Sequence, residues 1–468
     1  MSAFEQTVLS LRGSDRIFVG QAPIYVSRAP GRLDMMGGNV DYTGGLVFEA
    51  TIREATWAAA QLRTDRQVVI VNPQMLESQW QPRVEFSLDA LTDEASVRAM
   101  VNLNPGVRWT AYVTGVFYLL KQRWPEKVRS GVTVYLESNV PLNKGVSSSA
   151  AVEVATMKAS AAAYGIELRG IELAEACQWV ENVIAESACG IMDQAASVLG
   201  DEGFVLPVLC QPCQVMAPVK LPEDLQIWAI DSGVKHAVTG IEYEAARAAA
   251  YVGYRMICEW DGLPLQLDTS GRIPRYIEPR WNGYLSNMAS SLFRSQYESR
   301  LPESISGDAV LLEEKEHPDP FTPIRSGATY PVRACTRYAV EENQRIELFV
   351  ELVRGLSSEP SATGFRILGD LMFQSHWSYT ECGLGSKETD RIIELVRDEL
   401  GPGKLYGAKI TGGGAGGTVA VLGSKNARAS FERVVNRYAD EQGSAPYVFE
   451  GSSQGADAFG IRVIGASQ

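Results

Sequence analysis

At 468 residues the chain has room for two or three domains, and its 45% hydrophobic and 21% charged residues are the composition of a globular protein with a sizeable core. A formal net charge of -13 argues against non-specific nucleic-acid binding, while leaving room for a local basic pocket that takes a nucleotide. No run approaches the ~18 uninterrupted apolar residues of a membrane span, and the first residues lack a basic segment followed by an apolar core, so neither a membrane anchor nor a signal peptide is expected.

In chain order, residues 24–27 predict a strand that enters a Gly-dense turn and resumes near 46–50. ATWAAAQLR and RQVVIVNP continue as strands of a mixed sheet. Residues 89–100 are acidic and helical or loop-like, and 109–123 predict an amphipathic helix. In GVTVYLES, Val132, Val134 and Leu136 alternate at strand period, and the Ala-rich stretch 149–165 predicts a helix ended by Gly165. A second helix is expected over 171–185, and CGIMDQAASVLG reads as a turn into a third. Near Leu206 the texture changes to strands separated by Pro-containing turns, which divides the chain into domains at 1–205 and 206–468. Helix 242–258 follows, then 261–331, rich in Pro, Arg and aromatics with short helical pieces such as 287–300, which reads as an insertion or a lid. Helices are expected at 339–356, 363–378, 389–400 and 427–442, with strand-like LYGAKITGGGAGGTVAVLG between the last two and PYVFEG as the final strand.

Seven cysteines (Cys177, Cys189, Cys210, Cys213, Cys258, Cys335, Cys382) are an odd and scattered set, which speaks for a reducing, cytoplasmic setting rather than a disulfide framework. Cys210 and Cys213 form one C-x-x-C, but zinc would want a second pair, and only His236, His317 and His376 could help, so no metal is expected there.

The chemistry concentrates in the segment between the strand 131–138 and the helix after it, NVPLNKGVSSSA. A strand, a Gly/Ser loop and a helix start form an anion site, because the first helical N–H groups lack internal partners and small residues let a phosphate approach them. The competing interpretation is a Ser-capped helix after an ordinary turn. No G-x-x-x-x-G-K-[ST] is present, and GGGAGG at 412–417 precedes a strand rather than a helix, so neither a P-loop nor a dinucleotide fingerprint is read. Asp193 stands in an apolar, small-residue turn, where a carboxylate needs a partner, and Arg32 in the other Gly-dense turn is a candidate. Such a pair can take a hydroxyl proton while the cation steadies developing negative charge; a capping Asp and a surface Arg are the plainer alternative.

Three of these segments together resemble the GHMP kinases (galacto-, homoserine, mevalonate and phosphomevalonate kinases). Residues 28–45, with APGRLDMMGGNVDY, resemble the first motif; 141–151, PLNKGVSSSAA, the phosphate loop; and 409–417 the third, glycine-rich motif. CQWVENVIAESACGIMDQ and DSGVKHAVTGIEYEAAR resemble segments of the galactokinase branch. The resemblance implies an α+β, two-domain GHMP kinase fold, with an N-terminal domain of the ribosomal-protein-S5-like domain 2 type and a ferredoxin-like α/β C-terminal domain. It implies ATP between the domains and Mg²⁺ as cofactors.

By the same resemblance Asp193 is the catalytic base and Arg32 its partner. Asp41, Gly38, Asn39, Gly190 and Tyr243 fall at the sugar. Pro141, Asn143, Gly145, Val146, Ser147, Ser148, Ser149 and Ala150 fall at the ATP phosphates, with Trp109 near the adenine. Ser148 and Glu181 would hold Mg²⁺, and Gly412, Gly413, Gly414 and Gly416 form the third motif. Where the galactokinase branch carries Glu-His, this chain has Gly38-Asn39. That Glu bonds the sugar's outer hydroxymethyl group, so its loss suits a sugar without one. CGLGSKETDR and FEGSSQGA add a resemblance to the plant kinase of L-arabinose. The expected activity is therefore phosphorylation of the anomeric hydroxyl of L-arabinose. The alternatives are a galactokinase and a non-catalytic sugar and ATP sensor. Sugar and ATP are the expected partners, without nucleic acid or membrane, and monomer and dimer are both open.

Overall fold

The computed structural model describes residues 2–13, 17–234, 241–270, 274–313 and 317–465. Its first layer is a nine-stranded sheet in which Arg462–Ile464, Ile24–Met36, Leu46–Leu62, Val132–Ser138, Gln67–Val71 and Arg83–Ser87 lie side by side. Only Gln67–Val71 and Val132–Ser138 run parallel; the other named pairs are antiparallel. Leu46–Leu62 is long enough to serve two partners. Its second half pairs with Val132–Ser138 and its first half with Phe204–Leu209, from Leu46 opposite Leu209 to Ala50 opposite Val205.

Helices Ser148–Ala163 and Met192–Leu199 pack on the two long strands, and Ala111–Arg123 and Gly170–Trp179 pack against these helices. Ser148–Ala163 consists mostly of Ala, Ser and Val, which favour close approach to a sheet, and nearly all of it is buried. The helix expected over 171–185 is regular only to Trp179; Val180–Ile184 is a π-helical turn, a local widening that often marks functional positions. Glu181 sits in that turn.

The second sheet, Leu405–Ile410, Thr418–Ser424, Leu225–Asp231 and Val448–Glu450, is antiparallel throughout. Helices Ala362–Glu381 and Lys387–Asp398 pack on it, and Arg428–Gln442 packs on Lys387–Asp398. The apolar side chains of Trp228, Phe373, Ile392, Val396, Val421 and Phe431 form its core. Ser386 and Thr389 close a capping box at the start of Lys387–Asp398. The architecture is mixed α+β, as expected from the sequence.

Two differences from the sequence expectation concern how the layers connect. The division expected at 205/206 falls inside Phe204–Leu209, a strand of the first sheet, and Val219–Lys220 also pairs with that sheet, so the second sheet begins only at Leu225. PYVFEG is not the final strand: Arg462–Ile464 returns to pair with Ile24, Tyr25 and Val26 of the first sheet. Such three-residue edge strands are too short for alternation to reveal. All seven cysteines are free, and among the described residues no helix is long and apolar enough to cross a membrane.

Candidate active site

The phosphate-loop candidate runs from the end of Val132–Ser138 to the start of Ser148–Ala163. Three of its residues hold left-handed backbone: Asn143 (φ 58°), Gly145 (φ 71°) and Ser147 (φ 61°). For Asn143 and Ser147 this conformation is uncommon and requires the surrounding structure to hold it. Ser147 precedes the helix, yet its side chain makes no capping bond, and its hydroxyl is buried without a hydrogen-bond partner. A plain capped helix would use that hydroxyl on a first-turn N–H. The loop is therefore shaped for something other than closing its own helix.

The third motif lies against this loop. It is the connection between the paired strands Leu405–Ile410 and Thr418–Ser424. At Gly412 (φ 70°) an added Cβ would lie 2.7 Å from the Gly145 carbonyl oxygen and 3.1 Å from Arg32, so only glycine permits the approach. The Thr418 hydroxyl donates to the Lys144 carbonyl at 2.7 Å, and the Lys144 ammonium pairs with Asp231 at 2.6 Å. The loop is thus clamped from the second sheet.

Arg32 joins this loop to the candidate base. Its guanidinium donates to Asp193 at 2.9 Å and to the Gly145 carbonyl at 2.8 Å, and it stands 3.4 Å from Glu49. The Arg32 side chain is 3% exposed and that of Asp193 19%. Burial alone would favour the neutral guanidinium, but Asp193, Glu49 and Asp34 around it hold it firmly charged. Met192–Leu199 presents Asp193 in its first turn, and the helix is fixed to the first motif by the Ser197 hydroxyl donating to Pro30 at 2.7 Å.

One open cleft gathers most of the sequence-predicted residues. Its walls include Arg32, Asn39, Asp41, Asn143, Gly145, Ser147, Ser148, Ser149, Glu181, Gly190, Asp193, Tyr243 and Gly413. Others support it from behind: Val146 and Ala150 are buried, and Gly412 packs against the loop. Pro141, Gly414 and Gly416 do not reach the wall, and Gly414 and Gly416 pack instead on Leu384 and Val234. Trp109 is buried with its indole N–H donated to the Gln81 carbonyl at 3.1 Å, and it lies outside the cleft wall. Residues 235–240 of the DSGVKHAVTG stretch lie outside the described residues.

Gly38 is also absent from the wall. At φ +45°, a Cβ there would sit 1.6 Å from the Tyr379 hydroxyl oxygen. Tyr379 fills the space and bridges two motifs, accepting from the Asn39 N–H at 2.9 Å and donating to the Gly412 carbonyl at 2.8 Å. No local pattern marks Tyr379, because its partners are far away in the chain.

Asp41, on the cleft wall with Gly190 and Tyr243, is pushed up to about 7 by burial and by the charge of Asp193, against the pull of Arg247 and the Tyr42 N–H. Beside the serine run, burial and Asp193 also push Glu181 up to about 7, although the Ser149 hydroxyl and Gln194 amide favour its charged form. Gln194 donates to Glu181 at 2.6 Å and to Glu153 at 3.3 Å. Glu153 is held well above the usual carboxylate range by burial, then by Glu181. Sequence reading named neither Gln194 nor Glu153 as functional; Gln194, next to Asp193, was within reach of it.

Glu181 fits a role as a cation ligand. Its carboxylate lines the cleft beside the serine run, and the unpartnered Ser147 hydroxyl adds a free oxygen nearby. Ser148 and Ser149 both line the cleft with Glu181, and the Ser149 hydroxyl favours the charged form of that carboxylate. Among the described residues no group of three or more His, Cys, Asp or Glu forms a resident metal site. The donor set therefore suits a cation that arrives with phosphate oxygens and water.

Known proteins give the context. The GHMP kinases N terminal domain profile matches residues 111–201, the GHMP kinases C terminal profile 360–441, and the galactokinase galactose-binding signature 15–62. An L-arabinokinase of Arabidopsis thaliana is 38% identical over 378 residues, covering 76% of this chain and 36% of its own length, so the chain spans about a third of that relative. A galactokinase of Pasteurella multocida is 27% identical over 75% of this chain and 76% of its own length. Among solved structures, Lactococcus lactis galactokinase complexed with galactose superposes with a TM-score of 0.74 at 21% identity, covering 98% of this chain and 100% of that one. A mevalonate kinase follows at 0.56 and 12%, covering 92% and 99%. Both GHMP kinase domains and the galactokinase galactose-binding signature thus occur in order in this chain, and residues of all three meet in one cleft.

Proposed function

We propose that this chain transfers the γ-phosphoryl group of ATP to the anomeric hydroxyl of L-arabinose, giving ADP and β-L-arabinose 1-phosphate. The observation that carries the reading is Arg32, which donates at once to the Asp193 carboxylate and to the phosphate-loop carbonyl of Gly145. One cation thereby couples a proton acceptor to a phosphate cradle. Asp193 takes the hydroxyl proton; the sugar oxygen bonds to the γ-phosphorus as the bond to the β-phosphate oxygen breaks and ADP leaves. Arg32 keeps Asp193 ionised beforehand and offsets negative charge on the transferring group. Backbone N–H groups at the start of Ser148–Ala163 hold the phosphates, and Asp41, Gly190 and Tyr243 face the sugar. Glu181 and a serine hydroxyl would hold Mg²⁺, which screens phosphate charge when bound.

The choice of sugar rests on position 38. It has no side chain, and the Tyr379 phenol occupies the space a side chain would enter, with its hydroxyl engaged on both sides. Position 38 itself brings no carboxylate, and the neighbouring Asp34 carboxylate is paired with Lys409, so an exocyclic hydroxymethyl group gains no dedicated acceptor from this position, which favours a pentopyranose. The plant relative's name points the same way. Galactokinase is the second reading, favoured by the galactose-binding signature.

ADP release with a panel of sugars separates the readings. The expected result is kcat/KM for L-arabinose above that for D-galactose by about tenfold or more. Preference for galactose overturns the choice of sugar. Binding of sugar and ATP without ADP release would make the protein a sensor.

A further inference from the structure

Segment 261–331 left open whether it is an insertion or a lid. The described parts of it pack on the first motif: Thr43 and Ser286 hydroxyls meet at 3.0 Å, and the Gln211 amide donates to Asn287 at 2.7 Å beside them. More telling is one ion pair. Asp319 accepts two hydrogen bonds from Arg247, at 2.8 Å to Nε and 2.9 Å to Nη2, with the side chains 4% and 1% exposed. The Thr322 hydroxyl and the Phe321 N–H also donate to Asp319. A fork-to-carboxylate pair this buried fixes both partners in one orientation.

Arg247 lies one helical turn after Tyr243 on Ile241–Trp260. Its guanidinium stands 4.9 Å from the Tyr42 ring and 5.7 Å from Phe321, and Tyr42 packs edge-on against Tyr243 at 6.0 Å. Tyr42 follows Asp41 directly, and its N–H donates to the Asp41 carboxylate at 2.7 Å. Arg247 also lines a second cavity that shares Asp41, Cys189 and Gly190 with the cleft. Its remaining nitrogen, Nη1, is buried with no hydrogen-bond partner. Full desolvation of such a donor is a cost that fold stability alone does not require, since an apolar pair of similar size would avoid it.

We propose that Arg247, clamped by Asp319, is a positioning residue that sets Asp41 and Tyr243 for the sugar, so that segment 317–322 is a fixed outer wall of the sugar site rather than a lid. The inference rests on the sugar-kinase reading. The Arg247 charge also favours the ionised form of Asp41, the form that accepts hydrogen bonds from sugar hydroxyls.

The test compares wild type with Asp319→Asn, Arg247→Lys and the milder Thr322→Val, measuring KM for sugar and for ATP, kcat and Tm. Asp319→Asn is expected to raise the sugar KM about tenfold or more while the ATP KM stays within about twofold. Arg247→Lys, which keeps the charge but loses the fork, should fall between wild type and Asp319→Asn. Thr322→Val, which removes one bond to Asp319, should shift the sugar KM in the same direction by a smaller factor. A lower Tm with an unchanged sugar KM, or an equal rise in both KM values, overturns the inference and leaves a purely structural ion pair. A wild-type protein that releases no ADP with any sugar overturns the kinase reading, and the inference with it.

Discussion

The two ends of the cleft are built in different ways. The end proposed for the nucleotide is one short run of backbone, in which left-handed Asn143, Gly145 and Ser147 set the loop and a helix start follows. The end proposed for the sugar is made of side chains from distant segments: Asp41 beside the first strand, Gly190 before the helix of Asp193, and Tyr243 with Arg247 on Ile241–Trp260, held by Asp319. Backbone N–H groups do not titrate and differ little between residue types, so a phosphate cradle is robust and looks alike from chain to chain. Side-chain walls can be altered one residue at a time. The contrast puts the shared chemistry at one end and the individuality of this chain at the other.

The largest expected effect falls where the two ends meet. Asp193→Asn keeps the shape and removes the proton acceptor, so kcat should fall by about 10²–10⁴ with the sugar KM within a few-fold. Near-normal turnover would remove Asp193 from the reaction.

Acidity should then separate the ends. Asp41 is raised to about 7, so below that pH it becomes protonated and one of its oxygens turns from acceptor to donor, and the sugar KM should rise by up to about tenfold per pH unit. At saturating Mg²⁺ the ATP KM should stay nearly flat. Stability runs in the opposite sense. Asp41 and Glu181 both bind protons more tightly folded than unfolded, so their contribution is full at acid pH and is lost as pH rises from the usual carboxylate range to about 7. A sugar KM independent of pH over roughly one unit either side of that value would break the assignment of Asp41.

The smallest effect belongs to the clamp on the phosphate loop. Lys144→Met removes the pair with Asp231 and should raise the ATP KM roughly threefold to tenfold, with the sugar KM unchanged. Parallel movement of both KM values would mean that the two ends do not act independently.

The same contrast decides what could be read from the chain alone. The phosphate loop was legible because strand period, small loop residues and an Ala-rich helix are all local. Arg32 and Asp193 were legible as candidates because each is a charge in a Gly-dense or apolar turn, and the structure does bring them together. Tyr379 was not: its bond to the Asn39 N–H spans 340 positions. Asp319 gave no signal either, since a carboxylate among prolines looks like any surface turn until Arg247 is seen beneath it. The π turn at Glu181 leaves the apolar pattern almost unchanged, and Trp109, expected near the base, is spent on the Gln81 carbonyl.

The way the chain passes between its two sheets bears on how the cleft is held. It leaves the first sheet between Lys220 and Leu225 and returns after Glu450, to end in the strand against Ile24–Val26. Both passages line one groove, and Ser452 and Ser453 are bonded there to Gly203 and Thr51. The two layers are also tied across the cleft itself, by Lys409 on Asp34, Tyr379 on Asn39 and Thr418 on Lys144. Held at both edges, they form one frame, and the cleft wall is set by the fold rather than by a hinge.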